Sequence, residues 1–88
     1  MVIINFFNND KRTFRNFINI THNYSYKDLL NDIQTTFDKN ERLSAEYYKR
    51  PIFKPNQFYI GKLTDEKCYF ISDVFEVNND DEYYIEYF

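Results

Sequence analysis

The chain has 88 residues, enough for one domain and a modest core. Hydrophobic residues make up 43%, including 10 Phe and 9 Tyr, so a wholly disordered chain is excluded and buried rings are the expected source of core area. A net charge of −3 argues against a general nucleic-acid binder, and no apolar run approaches the roughly 20 residues of a membrane span.

The charge is unevenly distributed. All 11 Lys and Arg lie between Lys11 and Lys67, and from Cys68 onward there are only acids: Asp73, Glu76, Asp80, Asp81, Glu82 and Glu86. Such a segment either faces a basic partner or is a solvated face that maintains solubility. Cys68 is the only cysteine, so an intramolecular disulfide and a cysteine metal cluster are both ruled out, and a reducing, cytoplasmic setting is expected. Met1 runs directly into strand-like sequence, with no basic region before a long apolar run, so no signal peptide is expected. One glycine, one alanine and abundant Asn, Lys, Ile, Tyr and Phe fit AT-rich coding, as in a protist, a low-GC bacterium, or a virus or phage of either.

Met1–Phe7 is short, β-branched and aromatic, which predicts a strand. Val2, Ile4 and Phe6 share one face and Ile3, Asn5 and Phe7 the other. Both faces are largely apolar, which predicts a central strand. Asn8–Lys11 is a hairpin turn, since Asn and Asp tolerate left-handed backbone. Thr13–Thr21 is the return strand, with Asn16 breaking the alternation and predicting a bulge or a splayed end there. His22–Tyr24 connects to a helix capped by Ser25, with Asp28 at capping-box spacing. Tyr26, Leu29, Leu30, Ile33 and Phe37 form one apolar stripe at helical spacing, read as core. Lys39 and Asn40 suit the end of the helix.

From Asn40 to Asn56 the pattern weakens. Glu41–Lys49 fits a second short helix with Leu43 and Tyr47 inward, before Pro51 and Pro55 break regular structure. Gln57–Lys62 resumes a strand, Gly61-Lys62 suits a tight turn, and Lys67–Phe70 is a second short strand. A single helical turn is expected at Ser72-Asp73 and a polar turn at Asn78–Asp81. Glu82–Phe88 is the closing strand, with Tyr83, Ile85 and Tyr87 opposite Tyr84, Glu86 and Phe88.

This order is a hairpin, a helix, two further strands and a closing strand. With the Met1 strand, the Ser25 cap, the Tyr59-Ile60-Gly61-Lys62 segment and Ser72-Asp73, it resembles the ubiquitin-like β-grasp family. The resemblance implies an α+β fold with a mixed sheet of about four to five strands packed on one amphipathic helix. It also implies a closing strand parallel to and beside the first. The family's Gly-Gly tail has no counterpart here, which implies an unconjugated protein. Its hydrophobic binding patch maps to Phe58 or Tyr59 and to Tyr84, with Glu86 where an aliphatic residue would be expected.

No catalytic constellation is visible. A Cys68–His22 nucleophile pair needs the two side chains in hydrogen-bond reach, and a β-grasp does not make them neighbours. Asp80-Asp81-Glu82 offers oxygen ligands for a divalent cation, but contiguous acids without a Gly-containing loop read as a solvated turn. No cofactor, metal site or membrane contact is expected. The leading expectation is a non-enzymatic protein-interaction module. Its partner would dock on the sheet face at Tyr59, Tyr84, Glu86 and Phe88, or on the loop at Lys49, Arg50 and Phe53. The second expectation is a phage or viral accessory protein that inhibits a host enzyme or nucleoprotein complex. Asp80, Asp81 and Glu82 would then meet a basic groove.

Overall fold

The computed structural model describes residues 1–9, 11–21, 23–64, 67–70 and 77–88, with residues 64 and 67–70 described by their backbone alone. In chain order the elements are β1 (Val2–Asn8), β2 (Lys11–Ile18), α1 (Tyr26–Tyr48), β3 (Phe58–Thr64), β4 (Lys67–Phe70) and β5 (Glu82–Tyr87). The fold is α+β: one mixed sheet, ordered β2-β1-β5-β3-β4, with α1 against one face. β1 pairs antiparallel with β2 and parallel with β5, while β3 is antiparallel to both β5 and β4. The closing strand thus lies parallel to and beside the first. The expected helical turn at Ser72-Asp73 and the residue His22 lie outside the described residues. Cys68 is described only as a backbone position of β4.

Strand alternation explains the core. Val2, Ile4 and Phe6 of β1 and Tyr83, Ile85 and Tyr87 of β5 all point toward α1 and are buried. They meet Leu29, Ile33 and Phe37 of the helix and Ile60 of β3. Phe37 is the hub of the ring packing. Its centroid lies 4.7 Å from Tyr87, 5.4 Å from Phe58 and 5.9 Å from Phe6, in tilted or edge-on geometries that suit the ring quadrupoles. Leu30, assigned to the same stripe from its spacing, is 40% exposed, because it sits on the flank of the helix rather than on its inner line.

Several sequence expectations are corrected. α1 does not end at Lys39-Asn40, and there is no separate second helix; it runs unbroken through 23 residues. Glu41 and Ala45 continue the inward line of Leu29, Ile33 and Phe37, while Leu43 and Tyr47, expected inward, are exposed. The helix stops at Lys49, which takes the left-handed conformation (φ 55°). Arg50 N–H then donates to Ala45 O at 3.0 Å and Lys49 N–H to Glu46 O at 3.4 Å, the paired bonds of a Schellman motif.

The bulge is at Thr13, not Asn16. Phe6 faces Phe14 and Phe7 faces Arg12, leaving Thr13 as the extra residue, while Asn16 stays in register with Ile4. The Thr13 hydroxyl donates to Phe6 O at 3.3 Å and accepts from the Tyr87 hydroxyl at 3.2 Å, so the bulge is tied to the core. Gly61-Lys62 is not a turn either; both residues lie inside β3, with Gly61 opposite Tyr84. A residue without a side chain leaves room beside that ring.

Ile33 is 2% exposed at the centre of the helix–sheet contact. Ile33→Asp places an unpaired charge there, at a cost of several kcal/mol, comparable to the stability of a small domain. The expected outcome is loss of the cooperative thermal transition by circular dichroism; a folded variant would place this face of α1 outside the core.

Candidate functional site

The face of the sheet turned away from α1 carries the second residue of each alternating pair. It presents Ile3, Asn5 and Phe7 from β1 and Glu82, Tyr84 and Glu86 from β5. Tyr59 joins them from β3, opposite Glu86 in register. Tyr84 stacks on Phe7 with ring centroids 4.1 Å apart. Tyr59 meets Phe88 edge-on at 5.4 Å. Tyr59 and Phe88 are 44% and 47% exposed, Tyr84 and Glu86 are half-buried, and Phe17 on the neighbouring β2 is 53% exposed. The four sheet-face residues expected from the sequence, Tyr59, Tyr84, Glu86 and Phe88, therefore share one surface.

A polar cross-link runs beside these rings. Arg15 on β2 donates through Nε to Asn5 Oδ1 at 2.7 Å. Asn5 Nδ2 donates to Glu82 Oε1 at 2.8 Å and to Tyr83 O at 3.2 Å, and the Arg15 guanidinium lies 3.9 Å from Glu82 Oε1. Three strands are joined by side chains across the outer face, and Asn5 is 2% exposed beneath them. Asn5 was not among the residues singled out by the sequence. The available signal was a lone amide in an otherwise apolar strand, since a buried amide needs partners.

The three acids of the run sit in different surroundings. Asp80 is exposed with left-handed backbone (φ 69°). Asp81 turns inward, accepting from Asn78 N–H at 2.9 Å and from the Tyr83 hydroxyl at 3.0 Å, with Lys62 Nζ at 3.2 Å. Burial, reinforced by the bond to Asp81, pushes the Tyr83 hydroxyl pKa well up, so it stays a donor. Glu82 belongs to the Asn5 and Arg15 cross-link. Of the three acids grouped from the sequence for a basic partner, Asp80 is exposed, while Asp81 and Glu82 are engaged by neighbouring side chains.

The loop residues are also separated. Arg50 is engaged within the chain: its guanidinium grips the Glu41 carboxylate, through Nη1 to Oε1 and through Nη2 to Oε2 at 3.2 Å. Phe53 N–H donates to the same Glu41 Oε1 at 2.9 Å. Glu41, on the inner line of α1, thereby pins the segment that follows the helix. Its carboxyl is held below the ordinary range by the Arg50 hydrogen bonds, against the opposing effect of burial. Phe53 is 45% exposed, with its ring 6.1 Å from Tyr87, and Lys49 projects from the cap. Sequence reasoning missed Glu41 because an acid reads as a solvent-facing residue.

Among the described residues, no group of three or more His, Cys, Asp or Glu is arranged to hold a metal ion. No helix among them is long and apolar enough to cross a membrane. No protein-family model matches the chain, and no curated protein or solved structure matches it.

The Glu41 carboxyl has a lowered pKa in the folded chain, so its ionised form stabilises the fold above the unfolded carboxylate range, and that contribution is lost as pH falls through the folded value. Glu41→Gln is expected to unfold at lower denaturant concentration than the parent at neutral pH. The gap should narrow at the acidic end of the titration. A gap that is constant down to strong acid would mean that ionised Glu41 does not anchor the loop.

Proposed function

We propose that this chain is a non-enzymatic protein-interaction module of ubiquitin-like β-grasp fold that docks a protein partner on the outer face of its sheet. The strand order β2-β1-β5-β3-β4, the parallel β1–β5 pair and the helix α1 across one face support the fold assignment. The observation that carries the function is the cluster of exposed and half-exposed rings, Phe7 with Tyr84 and Tyr59 with Phe88, mounted on the three middle strands. Rings held on a sheet are already ordered before a partner arrives, and Tyr supplies contact area at low entropic cost. Such residues are the usual energetic centres of protein interfaces.

The electrostatics of the surface support a partner with matched polar groups rather than a uniformly charged one. Glu82 and Glu86 lie in the middle of the face, with Arg12 and Arg15 along its β2 side. The Arg15–Asn5–Glu82 cross-link uses its own hydrogen-bonding capacity internally, so the rings carry the contact energy and the flanking charges set orientation.

The test is a comparison of parent protein with the double variant Tyr59→Ala, Tyr84→Ala. Proteins retained by the immobilised parent but not by a blocked matrix are identified, and the best is titrated calorimetrically against both forms. The double variant is expected to keep its thermal transition and to bind about 30-fold more weakly, roughly 2 kcal/mol. Equal affinity for both forms would remove the sheet face as the docking surface.

A further inference from the structure

The C-terminal half of α1 and the segment that follows it carry a second concentration of exposed rings, with a different charge. Residues 39–54 hold five bases, Lys39, Arg42, Lys49, Arg50 and Lys54, against two acids, Glu41 and Glu46. The local charge is +3 in a chain of net −3, so the rest of the chain carries −6. Arg50 and Glu41 neutralise each other. Lys39, Arg42, Lys49 and Lys54 are exposed and have no ion-pair partner among the described residues. The same stretch of chain also carries exposed apolar side chains. Tyr47 is 79% exposed and Tyr48 is 69% exposed, their rings edge-to-face at 4.8 Å, with Leu43 and Ile52 also exposed.

The shape is specific as well. The segment after the helix runs back along α1, because Glu41 holds Arg50 and the Phe53 backbone. An open groove of about 440 Å³ lies between the helix and this segment, lined by Gln34, Asp38, Arg42, Ile52, Lys54 and Pro55. Asp38 accepts from Gln34 Nε2 at 3.0 Å, and Arg42 and Lys54 make no side-chain hydrogen bond among the described residues. Ile52 and Pro55 supply the apolar lining.

We infer that the C-terminal half of α1 and the pinned 49–55 segment form a second docking surface, separate from the sheet face, for an acidic segment of a partner protein bearing apolar side chains. A carboxylate is drawn to Arg42 and Lys54, and a neighbouring aliphatic or aromatic side chain covers Ile52 and Pro55. Two occupants fit less well. Nucleic acid is repelled by the −6 carried elsewhere and would meet Glu46 and Asp38 within the patch. A second copy docked through this same surface would oppose bases to bases.

The probe is a short soluble peptide alternating Glu with Leu and Phe, titrated into isotopically labelled protein and followed by amide NMR shifts. Shifts are expected at residues 38–55, with binding that weakens as salt is raised. The double variant Arg42→Glu, Lys54→Glu should weaken binding roughly tenfold or more, while Tyr59→Ala, Tyr84→Ala should leave it unchanged. Both sets of side chains are on the surface, and the unchanged amide spectrum of the free variants checks their fold. The proposal is overturned if the peptide does not bind at millimolar concentration, or if charge reversal has no effect. It is equally overturned if the shifts centre on Tyr59 and Tyr84, or if a thymidine oligonucleotide of matched charge binds more tightly than the peptide. A concentration-dependent dimer abolished by the same reversal would assign the surface to a second copy and overturn it too.

Discussion

The parallel pairing of β1 with β5 is the constraint on which the rest of the molecule depends. It joins Ile3–Phe7 to Glu82–Glu86, the two ends of the chain, in the middle of the sheet. A contact so distant in sequence carries the loop-closure entropy of nearly the whole chain, so it needs burial on a scale that local pairing does not. The inner side chains of both strands supply it, since Val2, Ile4, Phe6, Tyr83 and Ile85 are all fully buried. Side-chain bonds then hold the register. Asn5 donates to Tyr83 O and Asn8 Nδ2 donates to Tyr87 O at 2.9 Å, while Ile3 N–H donates to Asp81 O at 2.9 Å where β5 begins.

The same strands that bury rings on one face display them on the other. Tyr83, Ile85 and Tyr87 close on α1, and the intervening Tyr84 and Glu86 take the outer face with Phe7 and Tyr59. Any shift of β5 by one residue would exchange these two sets, exposing the core side and burying Glu86. Fold and candidate docking face are therefore one register choice. The far end of α1 is positioned by a different device: a left-handed cap at Lys49 turns the chain, and the Glu41 carboxylate catches Arg50 and Phe53 as they return.

What was legible in the sequence follows from how local its signal was. The alternation of Tyr83, Ile85 and Tyr87 and the two-sided apolarity of Met1–Phe7 are local patterns, and they marked both strands and the shared face of Tyr84, Glu86 and Phe88, while the side-by-side placement of the two strands and the addition of Tyr59 came from the resemblance to the β-grasp plan. The second half of α1 was hidden because its inward positions are Glu41 and Ala45, neither of which reads as apolar stripe. Glu41 is buried only because Arg50, nine residues on, reaches back to it, a tertiary fact. Asn16 looked like the bulge because a polar residue broke the alternation, yet it sits in register toward the open β2 side of the sheet, beside Thr35, Thr36 and Lys39, where a polar side chain costs little. The bulge at Thr13 is set by the bonds to Phe6 and Tyr87, which no local pattern encodes.

Native-state hydrogen exchange of the backbone amides tests the central pairing most directly. With β5 between β1 and β3, the amides of β1 and β5 lie in the interior of the sheet and should exchange only through global unfolding, while the outward amides of β2 exchange faster through local opening. Slowest exchange in Ile4–Phe6 and Tyr83–Ile85, with the same free energy in both strands, is the predicted result. Fast exchange along β5, or protection in β5 that is lost while β1 remains protected, would show that the closing strand is not held beside the first.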